Sequence, residues 1–443
     1  MKKKIIIIGA GLCGLTAAFF LKKNHTDFSV VEKEKVVGGN SKTLSKKGYF
    51  FDLTGHALHL SNEEVRSFIF GELKLKDSFN LVSRNSVVYI NGTFIPYPFQ
   101  YNLYGLAKEY RDKAIIDFLE ARYTKNELKP SKYATFYEYS ISTLGTTITS
   151  LFMQPYNEKL WACSTNELGI DWMGKFVPQP DIGKILNGAF SSSDNQREGY
   201  NASFYYPREG GIGLIAEVLN KELLDEIICS SEVTAIDLEK RKVIINGKRE
   251  YQYDILMNTM PLNLFLRLSN RNEEYFKLDP TFTIIDAFII SIPPNRMPYT
   301  WVYLPSREYQ SYRIGNFSQF SPSLPRKRDL LYVEVSRNSK NSDKKTSYTS
   351  VLDEVSEVTR TLKKDMYLIS SFSINPGYVV YNLRRKEVLD GILAALWSKY
   401  GVISTGRYGG WKYDSMEGAI KDGIDAAKVI RDRVKGVENE VAY

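Results

Sequence analysis

The stretch Ile5-Ile6-Ile7-Ile8-Gly9-Ala10-Gly11-Leu12-Cys13-Gly14 decides the fold. Four consecutive β-branched apolar residues are what a central parallel strand, buried on both faces, requires. Three glycines in a GxGxxG spacing follow. The first permits a tight turn, the second lets backbone approach a pyrophosphate, and the third lets the next helix pack on the strand. Leu15 to Lys23 has helical apolar spacing, and the N-terminus of such a helix points its amides at phosphate. A second apolar strand, Phe28-Ser29-Val30-Val31, ends on Glu32, about twenty residues beyond the glycines, where a carboxylate accepts from ribose hydroxyls. Strand, turn, helix, strand and acid in this order predict a dinucleotide site on Gly9, Gly11, Gly14 and Glu32.

Just after the acid, Val37-Gly38-Gly39-Asn40-Ser41-Lys42-Thr43 adds a second glycine pair. Such a loop lets backbone run along a flavin, so FAD is expected rather than NAD, with Gly39, Asn40 and Ser41 in contact. The remaining nucleotide-binding elements come late in the chain. Phe204 to Gly213 leads into a helical stretch, Leu214 to Lys221, then strand-like pieces at Ile227 to Ile236, Lys242 to Ile245 and Ile255 to Met260. Val233 is placed there as a backbone contact for the adenine. Gly401 to Arg407 reads as a strand running into a turn, and a helix opens near Asp414 to Ala419. Met416 thus stands at a helix N-terminus whose dipole favours the negative charge of a reduced flavin.

The expected class is α/β: a discontinuous Rossmann-type FAD-binding domain (1–60, 205–270 and 395–435), an inserted helix-rich lobe (61–200) and a mixed-sheet substrate domain (271–394). The lobe is expected to carry helices at Leu103 to Tyr123 and Tyr133 to Leu151. The substrate domain is expected to carry alternating strands at Thr283 to Ile292 and Leu330 to Val335.

Composition sets the outer bounds. At 443 residues the chain is about three times a typical domain of ~150 residues. A formal charge of +8, with 43% hydrophobic and 25% charged residues, excludes wholesale disorder. Cys13, Cys163 and Cys229 form neither a disulfide framework nor a metal-ligand spacing. His25, His56 and His59 are the only histidines, so no zinc cage and no metal are expected. The initial isoleucine run breaks at the glycines without a cleavage-site pattern, and no apolar stretch reaches the ~18 residues of a membrane span, so a soluble, cytoplasmic chain is expected. The charged stretch Arg337 to Lys345 reads as an exposed loop; without interleaved aromatics it predicts no nucleic-acid partner.

Several motifs, in chain order, resemble the UDP-galactopyranose mutase family, its eukaryotic-type branch more than the bacterial one. They are Phe51-Asp52-Leu53-Thr54-Gly55-His56, Phe94-Ile95-Pro96-Tyr97-Pro98-Phe99-Gln100, Pro155 to Ala162, Asn201-Ala202-Ser203-Phe204, Tyr303-Leu304-Pro305 with Tyr312-Arg313 and Phe317 to Pro322, and Gly406-Arg407-Tyr408-Gly409. The first and last are shared with the wider FAD-dependent protoporphyrinogen and amine oxidase-like fold group.

The resemblance implies a flavin-dependent nucleotide-sugar mutase. It would interconvert pyranose and furanose forms of UDP-galactose or a related nucleotide sugar through a reduced-flavin N5–sugar adduct, with NADPH or NADH as reductant. The cofactor then carries the nucleophile, and the chain has no serine or cysteine constellation that would compete for that role. His56 and Arg313 are the implied catalytic residues. Gly55 and His56 match the loop facing flavin N5, with His59 supporting it. Tyr97, Phe99 and Gln100 match a uridine segment, and Asn157, Trp161 and Asn201 match sugar and phosphate contacts. Arg313 matches a diphosphate clamp, for which a planar guanidinium fork is suited. Tyr303, Tyr378 and Tyr413 match phosphate-binding tyrosines, and Arg407 a flavin-contacting arginine.

The chain departs from the family at Phe176, where the mutases place a second diphosphate arginine. Losing one charge-assisted contact costs about 1.5–3 kcal/mol. Either Lys175 substitutes for it or the substrate is not UDP-galactopyranose. Thr54 also stands where a second glycine is usual. An FAD-dependent oxidase or desaturase of the protoporphyrinogen or amine oxidase type is the alternative. It would share both flavin segments but gain nothing from Arg313 and the tyrosines. A flavin-binding protein without catalysis is a third reading, and Phe176 is its main support.

Overall fold

A computed structural model describes residues 3–124, 134–177, 179–191, 202–321, 327–341 and 346–437, apart from the Lys175 side chain. Ile5–Ile8 forms the centre of a five-stranded parallel sheet. Each of its isoleucines is at most 5% exposed, because Ile5 and Ile7 enter one apolar cluster and Ile6 and Ile8 another on the opposite face. The spatial order is Val402–Ser404, Ile255–Asn258, Ile5–Ile8, Ser29–Val31 and Ile227–Ile228, with every pairing parallel. The nucleotide fold is therefore discontinuous, as the late strands implied. The segment read as one strand from Ile227 to Ile236 is divided. Ser230 adopts φ 52°, which bends the chain, and Val233–Asp237 starts a separate antiparallel sheet with Lys242–Ile245 and Arg249–Gln252.

A seven-stranded mixed sheet lies beyond it, ordered Tyr367–Ile374, Thr283–Ile292, Asp329–Asn338, Arg313–Asn316, Trp301–Tyr303, Ser86–Ile90 and Thr93–Pro96. The last two strands come from the segment expected to be mainly helical. Their signal was Asn91-Gly92, both at positive φ, the residue pair that a tight hairpin prefers. Helices dominate that segment from Lys108–Thr124 onward, through Phe136–Ile148, Gln154–Trp161 and Ile182–Phe190. Phe136–Ile148 opens on a capping box between Thr135 and Glu138.

Side chains two residues apart share a sheet face, so register sets two rows across this sheet. One is Val88, Tyr303, Arg313, Glu334 and Ala287; the next is Ser86, Trp301, Gly315, Tyr332 and Ile289. The opposite face, with Val87, Val302, Ile314, Val333 and Phe288, packs against the helix Tyr348–Thr359. Covered on both sides, Thr283–Ile292 is buried throughout, so the expected apolar–polar alternation gives way to a continuous buried strand. Arg337 also departs from expectation: it lies within Asp329–Asn338 and grips Asp286 through two bonds of 2.7 and 3.0 Å. Residues 342–345 of that stretch lie outside the described residues. Among the described residues no helix is long and apolar enough to cross a membrane, and no group of His, Cys, Asp and Glu is arranged to hold a metal.

Candidate functional site

A cavity of about 810 Å³ extends from the glycine turn to the row face of the seven-stranded sheet. Of the expected cofactor residues, Gly9, Gly11, Glu32, Gly39, Asn40, Ser41, Gly55, Val233, Arg407 and Met416 line it. So do His56, Tyr97, Gln100, Asn157, Tyr303, Arg313, Tyr378 and Tyr413.

The nucleotide side fits FAD. The helix Leu12–Lys23 starts after Gly11 without a side-chain cap. Its first amides therefore remain as donors where Gly11, Leu12 and Cys13 line the cavity. A Cβ on Gly11 would meet nothing within 4 Å, leaving room for a pyrophosphate. Gly14 does not line the cavity. A Cβ there would fall 2.0 Å from the Gly9 carbonyl oxygen, so it serves helix packing, as the third glycine of the turn should. Glu32 is 6% exposed; it accepts from the Ala10 amide at 2.7 Å and the Glu34 amide at 2.9 Å, which fixes the carboxylate for ribose hydroxyls. Asn40 donates to the Tyr408 hydroxyl at 2.8 Å. Arg407 donates from Nη1 to the Asp414 carbonyl at 2.9 Å, while its Nε is buried without a partner. That orphaned donor suits an acceptor on the flavin.

The histidine loop is fixed by sterics. A Cβ on Gly55 would lie 1.9 Å from Tyr332 Oη and 3.0 Å from Trp301 Nε1, and Trp301 Nε1 donates to the Tyr332 hydroxyl. His56 Nδ1 lies 3.1 Å from the Thr54 carbonyl. Burial, with Arg407 adding to it and the Thr54 carbonyl opposing, lowers the His56 pKa to about 4. The imidazole is thus neutral near pH 7. Asp52, four residues before His56, is wholly buried and accepts from Thr43 Oγ1 (2.7 Å), the Tyr206 hydroxyl (2.7 Å) and the Ile212 amide (3.1 Å). Burial outweighs these bonds and raises its pKa to about 6.

On the sheet side, Arg313 Nε donates to Glu334 Oε2 at 2.6 Å. Glu334 is wholly buried, and its Oε1 has no partner. Burial, the largest single effect, opposes the charge on Arg313, but Glu334 together with Tyr378, Tyr332 and Tyr312 outweighs it and raises the pKa. The loop joining Tyr303 to Arg313 is held from both sides. Lys159 donates to the Leu304 and Ser306 carbonyls at 2.6 and 3.0 Å, and Glu354 accepts from the Gln310 and Ser311 amides at 2.6 and 3.0 Å.

Phe99 and Trp161, expected to touch substrate, are instead 0% exposed and set behind the lining. Phe99 packs on Phe152 at 5.3 Å and Trp161 on Trp172 at 4.9 Å, because large rings gain more from full burial than from a wet wall. Asn157 lines the cavity with its amide donating to the Met153 carbonyl at 2.7 Å. Asn201 lies outside the described residues. Phe176 is a lining residue, set edge-on to Tyr413 at 4.7 Å.

Sequence reasoning missed Arg84. It is 9% exposed, lines the cavity, stands 4.3 Å over the Tyr97 ring, and donates to Ser86 Oγ at 2.8 Å and the Tyr303 hydroxyl at 2.6 Å. The signal available was an arginine at the mouth of the apolar run Ser86 to Ile90. Burial raises the Tyr97 pKa to about 12, with Arg84 pulling the other way.

The NAD(P)-binding Rossmann-like domain family matches residues 7–70. A solved structure of reduced UDP-galactopyranose mutase resembles the chain with a TM-score of 0.87 at 24% identity, covering 99% of this chain and 96% of its own. By sequence, a dTDP-fucopyranose mutase of Escherichia coli is 21% identical over 77% of this chain and 83% of its own length. A probable flavin-containing monoamine oxidase A of Dictyostelium discoideum is 22% identical over 74% of this chain, but the match spans only 61% of that relative. The mixed α/β fold with a Rossmann-like nucleotide unit is thus shared with a mutase structure from end to end, and the resemblance read from the motifs is matched by the comparison of whole folds.

Proposed function

We propose that the chain is an FAD-dependent mutase that interconverts the pyranose and furanose forms of a nucleotide sugar. The observation that carries this reading is the merging of the dinucleotide cradle with Arg313, Tyr303, Tyr378 and Tyr413 in one cavity. A guanidinium among phenols suits a diphosphate, and an enzyme that only removes hydride from an amine or porphyrinogen has no use for it. The resemblance to mutases named for a UDP sugar and a dTDP sugar supports the reading and leaves either base open.

When bound in its reduced form, FAD would supply the nucleophile that the side chains lack. The amides after Gly11 would hold its pyrophosphate and Glu32 its ribose. Arg407, which lines the site, would favour negative charge on the ring system. Neutral His56 holds its Nδ1 proton on the Thr54 carbonyl and so orients the Gly55 loop; it does not act as an acid near pH 7. Arg313 would stabilise the charge on a departing diphosphate, its fork aimed by Glu334. Tyr413 stays protonated, because burial raises its pKa, and so can donate to phosphate oxygen. The rings of Trp172, Phe176 and Tyr156 shed water from the reacting sugar.

The test is to reduce the purified holoprotein with dithionite, NADPH or NADH, add UDP-galactopyranose or dTDP-fucopyranose, and follow furanose formation by chromatography. The amine oxidase resemblance favours the second reading, an oxidase. Oxygen-dependent turnover of an amine or porphyrinogen, with no ring contraction of either nucleotide sugar, would establish that second reading and end the first.

A further inference from the structure

The charge around Arg313 does not balance a diphosphate. Glu334 lies 2.6 Å from the guanidinium and is wholly buried, so the pair is close to neutral. A ligand with two negative charges brought against it meets a carboxylate as well as a cation. Across the cavity Phe176 presents a ring against Tyr413. Desolvating a dianion against a near-neutral pair is costly. Arg407, over Tyr378 and Tyr413 at 5.2 and 5.5 Å, is the charge assigned above to the flavin, so a further cation on the sheet wall would complete the balance.

Sheet register puts one there. Tyr303 pairs directly with Arg313 on one side and with Val88 on the other, and Trp301 pairs with Ser86. Arg84 lies two residues before Ser86, and its Nη2 donates to the hydroxyl of that same Tyr303 at 2.6 Å. The two guanidinium groups stand over adjoining rings: Arg84 is 5.4 Å from the Trp301 centroid and Arg313 is 5.9 Å from the Tyr332 centroid. Bonds to Ser86 Oγ and Tyr303 orient the Arg84 fork before any ligand arrives, which lowers the ordering cost of binding.

We propose that Arg84 is a phosphate-binding residue of this cavity, supplying the positive charge that balances a nucleoside diphosphate over the Arg313–Glu334 pair. The inference rests on the nucleotide-sugar reading above and deepens it. It accounts for a diphosphate site in which Phe176 carries no charge. The competing role is support of Tyr97, whose ring lies under the guanidinium. Support of a base-stacking ring would act equally on every uridine-containing ligand, whereas a phosphate contact scales with ligand charge.

The experiment compares UDP, UMP and uridine binding to the FAD-loaded protein, wild type and Arg84→Met, by calorimetry and by perturbation of the flavin spectrum. Loss of a charge-assisted contact predicts that UDP weakens about 10- to 100-fold, UMP weakens less and uridine is unchanged. Arg84→Lys, which keeps the charge, should retain part of the UDP affinity. Equal weakening of UDP and uridine overturns the proposal, as does unaltered UDP binding. Should Arg84→Met fail to fold or to hold FAD, Arg84→Gln carries the same comparison, since an amide can still donate to Tyr303. UDP binding lost in Arg313→Ala but untouched in Arg84→Met would overturn Arg84 alone. Wild-type protein that binds neither UDP nor dTDP would remove the function proposed above as well.

Discussion

The hydroxyl of Tyr332 occupies the space that a side chain at Gly55 would need, 1.9 Å from the Cβ position. Tyr332 cannot yield easily: its ring is wholly buried, lies on Gly315, where a Cβ would come within 1.9 Å of Cζ, and its hydroxyl accepts from Trp301. Gly55→Ala must therefore move the loop that carries His56. Overpacking of this kind costs about 1–3 kcal/mol. The expected outcome is an altered flavin spectrum and a fall in turnover of about 5- to 150-fold, that energy expressed as a rate. Adding Tyr332→Phe should restore only part, because Cζ itself lies 2.4 Å from the new methyl. Wild-type turnover in Gly55→Ala would contradict the packing argument.

Arg313 and Glu334 separate stability from binding. Arg313→Met leaves a buried carboxylate unpaired, which should destabilise the protein by about 3–5 kcal/mol, read by urea unfolding. Arg313→Met with Glu334→Gln should recover much of that loss while binding no UDP. Recovery of binding in the double variant would show that the arginine is structural.

His56 gives a pH signature. Its folded pKa is about 4, below the ordinary 6.5, so the unfolded chain takes up a proton first as pH falls. The stability it contributes is complete above pH 6.5 and is lost as pH falls from 6.5 to 4. Asp52 acts oppositely in an overlapping window: with its pKa raised to about 6, the folded state holds the extra proton, and stability rises as pH falls from 6 towards 4. The comparison is therefore wild type against His56→Gln, which should lack the first trend and keep the second. By NMR the His56 ring should titrate near 4, and a midpoint at 6 or above would refute its burial.

Phe176→Arg tests what passes the Tyr413 wall. If that is a diphosphate, a guanidinium set where the ring now packs should tighten UDP by about tenfold or more, measured by calorimetry. Weaker binding would mean that the wall touches an apolar part of the ligand.

The first forty residues were legible because every requirement there is local: a glycine where a turn needs it, an apolar run where both faces are covered, an acid at the end of the next strand. Arg337 was misread because its partner, Asp286, lies 51 residues away, and a charged residue in a charged stretch looks exposed until that carboxylate is found. Arg84 was missed for the same reason on a longer scale. Its place on the cavity wall follows from the parallel pairing of Ser86–Ile90 with Trp301–Tyr303, and Tyr303 is 219 residues downstream of it. Phe99 and Gln100 show the limit at the finest scale. They are neighbours in the short turn Phe99–Tyr101, yet only Gln100 lines the cavity, a difference that spacing in a motif does not encode.

The order of the parallel sheet also fixes when the protein can hold its cofactor. Ile5–Ile8 is synthesised long before its neighbour on one side, Ile255–Asn258, and that strand's own outer neighbour is Val402–Ser404. Long-range pairings of this kind form late, so the isoleucine strand must wait, unpaired on that edge, for most of synthesis. Arg407 and Met416, which complete the cavity wall, emerge later still. Flavin capture therefore waits for these late elements, and a nascent chain halted before Val402 should retain no flavin on gel filtration. The glycine turn, made before the other elements of the site, can function only once they are in place.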